Sequence, residues 1–117
     1  MVKVYGIPNC DTVKKALAWL TENKIAFEFH DFKKTGASAF KIKEWVKASS
    51  LEIVLNKKST AYRNLTAEDQ QKILLKSEAL NIMQNNTNLI KRPVLEIAGT
   101  ILHGFNIEEY KKTFGKN

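Results

Sequence analysis

The sequence predicts an α/β fold built on one mixed sheet, and two observations indicate this class. An apolar strand at the N-terminus stops at a glycine- and proline-containing turn and is followed directly by an amphipathic helix and a second strand. Near the C-terminus, Pro93 introduces two apolar runs that are separated by Ala98-Gly99, a pattern typical of an antiparallel hairpin. A βαβ crossover and a hairpin can share one sheet. We therefore expect four strands, with helices on both faces.

The first strand and helix flank the single cysteine. Val2 and Val4 favour a strand, Gly6 and Pro8 end it, and a helix begins next to Cys10. The apolar residues of this helix recur at helical spacing: Val13, Ala16, Leu17 and Leu20. We expect the helix to end near Asn23, a residue type that tolerates a left-handed cap.

The middle of the chain is predicted to be helical. A second strand over 25–30 leads into a loop over 31–36, and Ser38 is expected to cap the next helix. Residues 51–55 are of ambiguous type, and 56–64 is predicted to be a surface loop. Thr66 with Asp69 resembles a capping box that opens one helix running to Asn85-Asn86.

The last segment is predicted as a hairpin followed by a helix. Pro93 either begins the first hairpin strand or forms a cis bond, and both strands are apolar. Asn106 is expected to cap the final helix, with Phe105 packed against Tyr110. The order strand, cysteine turn, helix, strand, helices, hairpin and helix is the layout of the thioredoxin fold.

Composition limits the classes of function. The 117 residues suit one domain and carry a net charge of +7, but the 17 lysines are spread along the chain, so we expect no specific nucleic-acid binding. One cysteine allows no internal disulfide, and no signal peptide or membrane-spanning run is evident. We expect a cytoplasmic protein without membrane contact. Only two basic residues are arginines, Arg63 and Arg92, and arginine suits oxyanions better than lysine does.

Cys10 is the strongest candidate for chemistry. The backbone N–H groups and the dipole at a helix N-terminus favour a thiolate over a thiol. Lys14 and Lys15 add to this effect, whereas Asp11 opposes it. The alternative is a small buried core residue, but the polar Asn-Cys-Asp-Thr turn argues against that role.

The remaining polar candidates are less specific. His30 and His103 are too few and too far apart in sequence to suggest a metal site, so we propose no metal. The Thr12 hydroxyl could donate to the thiolate or cap the helix. Arg63 lies either in a solvated loop or in a mobile clamp for an anion.

Several motifs together resemble a known family. They are Tyr5-Gly6-Ile7-x-Asn9-Cys10-Asp11-Thr12-x-Lys14-Lys15-Ala16, Trp19-Leu20, His30-Asp31 and Lys91-Arg92-Pro93. This set resembles the arsenate-reductase-like (ArsC) family of thioredoxin folds, and within it the YffB/Spx branch. The resemblance covers nearly the whole chain.

The resemblance implies one thioredoxin-like domain over 1–117 with a helical insertion at about 37–86. It also implies a reactive Cys10 and an Arg92 that precedes a cis Pro93 and places its guanidinium near the sulfur. We add Asn9, Thr12 and Arg63 to Arg92 as candidate substrate- and anion-binding residues, with Pro93 structural at the site.

Departures from the family pattern narrow the function. Asn56 and Gly104 align where arsenate reductases carry further arginines, so arsenate reduction is disfavoured. Val13 stands where Spx proteins have a second cysteine. We expect a single-cysteine thiol–disulfide oxidoreductase with no bound cofactor and with glutathione as co-substrate. The alternative is an Spx-like regulator that binds RNA polymerase or another protein without redox catalysis.

Overall fold

Four strands and a series of helices make up the computed structural model, which describes residues 1–116 apart from the side chains of Lys76 and Ser77. The strands are β1 (Val2–Gly6), β2 (Phe27–Asp31), β3 (Val94–Ile97) and β4 (Thr100–His103). The α-helices are α1 (Asp11–Glu22), α2 (Phe32–Thr35), α3 (Ala39–Ala48), α4 (Leu51–Val54), α5 (Thr60–Arg63), α6 (Ala67–Lys72), α7 (Lys76–Asn85) and α8 (Ile107–Phe114). A 3-10 helix covers Thr87–Leu89.

The strands form one mixed sheet in the order β2-β1-β3-β4, which confirms the predicted four-stranded α/β architecture. Strand β3 pairs antiparallel with both β1 and β4, so that Val94 lies between Tyr5 and His103. Side chains alternate across a strand. Tyr5, Val94 and His103 therefore occupy one face of the sheet, and the residues next to them in sequence occupy the other.

That other face carries a hydrophobic core shared with α1 and α8. Val4, Leu95 and Leu102 come from three adjacent strands and are buried together with Trp19 and Tyr110. The Trp19 and Tyr110 rings meet edge to face with centroids 5.5 Å apart. Burial of these side chains holds both helices against the sheet.

The chain forms two compact units. One consists of Met1–His30 and the described part of Arg92–Asn117, and it contains most of the sheet, α1 and α8. The other is Asp31–Lys91, which contains α2 to α7 and has its own core, including Trp45, Ile73 and Met83.

The end of α1 differs from the prediction. Asn23 is the C-cap but has φ −91°, and the left-handed conformation falls on Lys24 with φ 58°. The Asn23 side chain instead donates a hydrogen bond of 2.8 Å to the carbonyl of Trp19. The amide thus adds a second hydrogen bond to a carbonyl at the helix end that already accepts one from Asn23 N at 3.1 Å.

Two segments predicted as loops contain short helices, so those predictions were wrong. Residues 32–35 form α2, because Asp31 accepts a hydrogen bond from the backbone N–H of Lys33. Residues 60–63 form α5, because the Ser59 hydroxyl accepts from the N–H of Tyr62. In both caps a polar side chain accepts a hydrogen bond from a backbone N–H two or three residues later, and the same bond occurs in ordinary turns. A short polar segment with such a residue therefore looks like a turn in the sequence.

The single helix predicted after Thr66 is in fact two. The Thr66 hydroxyl caps α6 through the N–H of Asp69 as expected, but α6 ends at Lys72. Leu75 then takes an extended conformation, φ −89° and ψ 116°, before α7 begins. Leu74, whose spacing would suit the apolar face of one continuous helix, is 62% exposed.

The C-terminal predictions are confirmed. Ala98 and Gly99 have φ 45° and 87°, the positive values that a tight hairpin turn requires. Asn106 caps α8 by accepting a hydrogen bond from the N–H of Glu109. Phe105 meets the Tyr110 ring edge to face with centroids 4.9 Å apart. Among the described residues, no helix is long and apolar enough to cross a membrane.

Candidate active site

Cys10 is the residue immediately before α1. Its backbone is extended, φ −139° and ψ 124°, and its carbonyl accepts the hydrogen bond from Lys14 N at 2.9 Å that opens the helix. The side chain makes no capping hydrogen bond and is half-buried. Cys10 therefore occupies the end of α1 at which backbone N–H groups lack helical partners, and it is accessible in part to a reaction partner.

The charged residues around this helix start are placed as the sequence suggested. Asp11 is the first residue of α1 and is exposed, and Lys14 and Lys15 follow one turn later, also exposed. All three charged residues therefore lie in the first turns of the helix that Cys10 precedes.

A close approach at the end of β1 sets the position of α1. A methyl group added at Gly6 would lie 3.0 Å from Cγ2 of Val13, a fully buried residue of α1. The same added group would lie 3.9 Å from Cβ of Arg92. Gly6 therefore lets the first turns of α1 pack against the strand end, beside the segment that enters β3. In the sequence, Gly6 indicates only the end of a strand, and no residue next to it indicates this close approach.

The Arg92-Pro93 segment lies beside the end of β1. The peptide bond between the two residues is cis, as predicted. Tyr5 faces Val94 across the sheet, so the strand end that leads to Cys10 runs next to Arg92. Arg92 is half-buried, and its Nε atom is shielded from solvent. Pro93 is buried, and its carbonyl accepts a hydrogen bond of 2.8 Å from Gly104 N.

The other candidate residues are exposed. Asn9 and Thr12 flank Cys10, within the same unit. Thr12 is the second residue of α1 and does not cap it, because the cap position belongs to Cys10. Arg63 is the last residue of α5, in the unit Asp31–Lys91, so it lies on a helix and not in the predicted loop.

A polar group on the first face of the sheet was also missed. The Tyr5 ring stacks on the His30 ring with centroids 4.7 Å apart, and Tyr5 Oη donates to Glu96 Oε1 at 3.1 Å. His30 Nε2 lies 3.4 Å from Glu28 Oε1. The alternation of polar and apolar residues in β1 and β2 could have indicated this face. Within residues 1–116, no group of His, Cys, Asp and Glu side chains could hold a metal ion.

Comparison with known proteins identifies the family. The family model described as the ArsC family matches residues 5–113. The chain belongs to the ArsC family. An uncharacterized protein of Haemophilus influenzae is 40% identical over 114 residues, which cover 97% of this chain and 99% of that protein.

Solved structures place this ArsC-family chain among thioredoxin-like folds. A YffB protein superposes with a TM-score of 0.92 at 37% identity, covering 96% of this chain and 97% of the other. An arsenate reductase of Vibrio cholerae, at 21% identity, shares the fold with a TM-score of 0.77, covering 99% and 97% of the two chains. The chain is also 26% identical over 114 residues to the global transcriptional regulator Spx 1 of Oceanobacillus iheyensis, covering 96% of this chain and 86% of that one.

Proposed function

We propose that this ArsC-family protein is a glutathione-dependent thiol–disulfide oxidoreductase that works with one cysteine. The observation that carries the proposal is the position of Cys10 at the N-cap of α1. The residue is half-buried there, and its side chain makes no capping hydrogen bond. A thiolate at such a position is both stabilised and able to attack.

The proposed reaction is two successive thiol–disulfide exchanges. In the first, the Cys10 thiolate attacks the glutathione sulfur of a disulfide between glutathione and a substrate thiol. The S–S bond of the substrate breaks, a new S–S bond forms to Cys10, and the substrate thiolate leaves and takes a proton from water. In the second, the thiolate of another glutathione attacks the glutathione sulfur of the mixed disulfide. Oxidised glutathione leaves, and Cys10 returns as a thiolate.

An external thiol is required because the chain contains one cysteine. Val13, three residues after Cys10, is fully buried and cannot resolve a mixed disulfide. The cycle is thus balanced: one glutathione thiol and the glutathione taken from the substrate disulfide become oxidised glutathione, and the substrate thiol is released.

Arg92 is the proposed anchor for a carboxylate of glutathione. Its guanidinium offers a planar fork that can hold both oxygens of a carboxylate. Support comes from its place beside the strand end that leads to Cys10. Asn9 and Thr12 are proposed to contact the same ligand, since both are exposed and adjacent to the cysteine. Arg63 is a further candidate for an anionic group of the substrate.

The test is turnover of a glutathionylated peptide with glutathione, coupled to glutathione reductase. The parent protein should accelerate release of the peptide thiol, and Cys10→Ser should remove the acceleration while keeping the native circular dichroism spectrum. Mass spectrometry of the stopped reaction should show one glutathione attached to the parent and none to Cys10→Ser. An unaccelerated reaction with the folded parent would contradict the proposal.

The similarity to Spx regulators supports a second candidate, a protein that binds RNA polymerase without redox catalysis. The two functions make different predictions for Cys10→Ser, because binding requires no thiolate. Titration of purified RNA polymerase with labelled protein would favour the second function if parent and Cys10→Ser bound with equal affinity and the parent showed no turnover.

A further inference from the structure

An open groove lies on the unit Asp31–Lys91, and none of its lining residues is assigned above to the thiol chemistry. Its volume is about 260 Å³. It is lined by Glu52, Ile53, Leu55, Asn56, Lys57, Lys58 and Lys91. All of these residues belong to the same unit, so the groove is a feature of that unit alone.

The backbone around the groove is held by hydrogen bonds. Asn56 N donates to the carbonyl of Leu89 at 2.8 Å, and Lys91 N donates to the carbonyl of Val54 at 2.8 Å. These bonds flank an antiparallel bridge between Leu55 and Ile90. The Asn56 side chain accepts from Lys58 N at 3.2 Å, which fixes the turn that follows. The two segments that present the lysines are therefore tied together.

The apolar part of the groove is small. Leu55 is 2% exposed and contributes to the floor, whereas Ile53 is 45% exposed and offers its side chain to a partner. Ligand pockets for drug-sized molecules usually exceed ~300 Å³ and enclose most of the ligand. A shallow groove of this volume suits one apolar side chain presented by another chain.

The charges of the groove are not neutralised by the protein itself. Three lining residues are lysines and one is a glutamate, and Lys57, Lys58 and Lys91 are exposed. Elsewhere in the chain Lys41, Lys72 and Lys111 form ion pairs with glutamates three or four residues away. In the part of the chain that the structure describes, no carboxylate lies within ion-pair distance of the three groove lysines. Their complement is an acidic ligand.

We infer that this groove binds an acidic protein segment that places one apolar side chain against Ile53 and Leu55. Carboxylates on both sides of that side chain would meet Lys57, Lys58 and Lys91, which fixes the register of the segment. A nucleic acid fits the groove less well, because its phosphate backbone carries no apolar side chain to pack against Ile53 and Leu55. The inference concerns a partner surface and does not depend on the proposed oxidoreductase activity.

The test uses fluorescence anisotropy with a labelled peptide, Gly-Glu-Asp-Leu-Glu-Asp-Gly. A second peptide replaces Leu by Ser and keeps every charge, and a labelled thymidine dodecamer supplies phosphates instead of carboxylates. The Leu peptide should bind the full-length protein about tenfold more tightly than the Ser peptide, because one leucine side chain is buried. The dodecamer should bind more weakly than the Leu peptide at physiological salt.

A matched pair of double variants separates the groove from general charge. Lys57→Glu with Lys91→Glu should weaken Leu-peptide binding about tenfold or more. Lys43→Glu with Lys47→Glu changes the net charge by the same amount on exposed positions of α3 that do not line the groove, and should have less than about a twofold effect. Circular dichroism spectra should match in all variants, since all four side chains are exposed.

Three results would overturn the inference. Equal weakening by the two double variants would mean that the peptide senses only net charge. Equal affinity of the Leu and Ser peptides would mean that the apolar floor is not used. Tighter binding of the dodecamer, lost in the groove variant, would assign the groove to nucleic acid.

Discussion

Tyr110 Oη donates a hydrogen bond of 2.7 Å to the carbonyl of Gly104, and both groups are buried. Gly104 N in turn donates to the carbonyl of Pro93 at 2.8 Å. The two bonds connect α8 to the segment that carries Arg92, through one turn after β4. A helix on the core side of the sheet thereby supports the backbone beside the candidate active site.

Removal of this hydroxyl should destabilise the fold. Tyr110→Phe keeps the ring packing but leaves the Gly104 carbonyl buried without its donor, at an expected cost of about 1–3 kcal/mol in the free energy of unfolding. Urea denaturation measures the change. Tyr62→Phe is the matched control, because the Tyr62 hydroxyl makes no hydrogen bond to any side chain or backbone group that the structure describes. It should change stability by less than about 0.5 kcal/mol. Similar losses in both variants would contradict the role assigned to Tyr110.

Tyr110 should also make stability depend on alkaline pH. Burial raises the pKa of the Tyr110 phenol above its ordinary value of 10.0, and the neighbouring Glu109 carboxylate raises it further. The unfolded chain therefore ionises first as the pH rises, and deprotonation favours unfolding. The contribution of this group is fully present below pH 10.0 and falls above it. In urea titrations at pH 9 to 11, the free energy of unfolding should decline more steeply for the parent than for Tyr110→Phe.

Cys10 should react faster in the folded protein than in the unfolded chain. The N-terminus of α1 stabilises a thiolate, and unfolding removes that stabilisation. At pH 7 we expect iodoacetamide to alkylate the native protein about tenfold faster than the same protein in urea, once both rates are normalised to those of free glutathione under each condition. The unfolded chain serves as the matched control because it contains the same single thiol. A native rate equal to or below the unfolded rate would argue for an inert core cysteine.

Gly6→Ala should push α1 away from the end of β1. The added methyl would lie 3.0 Å from Cγ2 of Val13, which is shorter than carbon atoms normally tolerate. We expect a loss of about 1–3 kcal/mol in the free energy of unfolding. The double variant Gly6→Ala with Val13→Ala removes the contact, so its loss should be smaller than the sum of the two single losses. Simple additivity would show that the close approach has no energetic role.

Arg92→Lys should slow thiol transfer more than it lowers stability. Lysine keeps the charge but loses the two-pronged contact with a carboxylate, which corresponds to about a ten- to hundredfold loss of rate with a glutathionylated peptide. Thermal unfolding of the same preparation measures the change in stability, which should be small because lysine keeps the charge and a long aliphatic stem. Arg63→Lys, made in parallel, tests whether the exposed arginine of α5 contributes to the same rate. An unchanged rate in Arg92→Lys would remove Arg92 from the proposed site.

Local signals in the sequence were sufficient to predict several features of the fold and one feature of the candidate site. A side chain that caps a helix is next to the backbone groups it satisfies, so Ser38, Thr66 and Asn106 could be assigned from sequence alone. The same applies to the Ala98-Gly99 turn and to Cys10 at the start of α1, since each depends on residues a few positions away.

Other features depend on residues that are distant in sequence, and only the tertiary structure decided them. The division of the predicted long helix at Leu75 left Leu74 exposed although its spacing suits an apolar face. The need for glycine at position 6 comes from how closely the Val13 side chain of α1 packs against the end of β1. Helical spacing shows which residues could share a face, whereas burial depends on which element packs against that face. That information is absent from any local window of sequence.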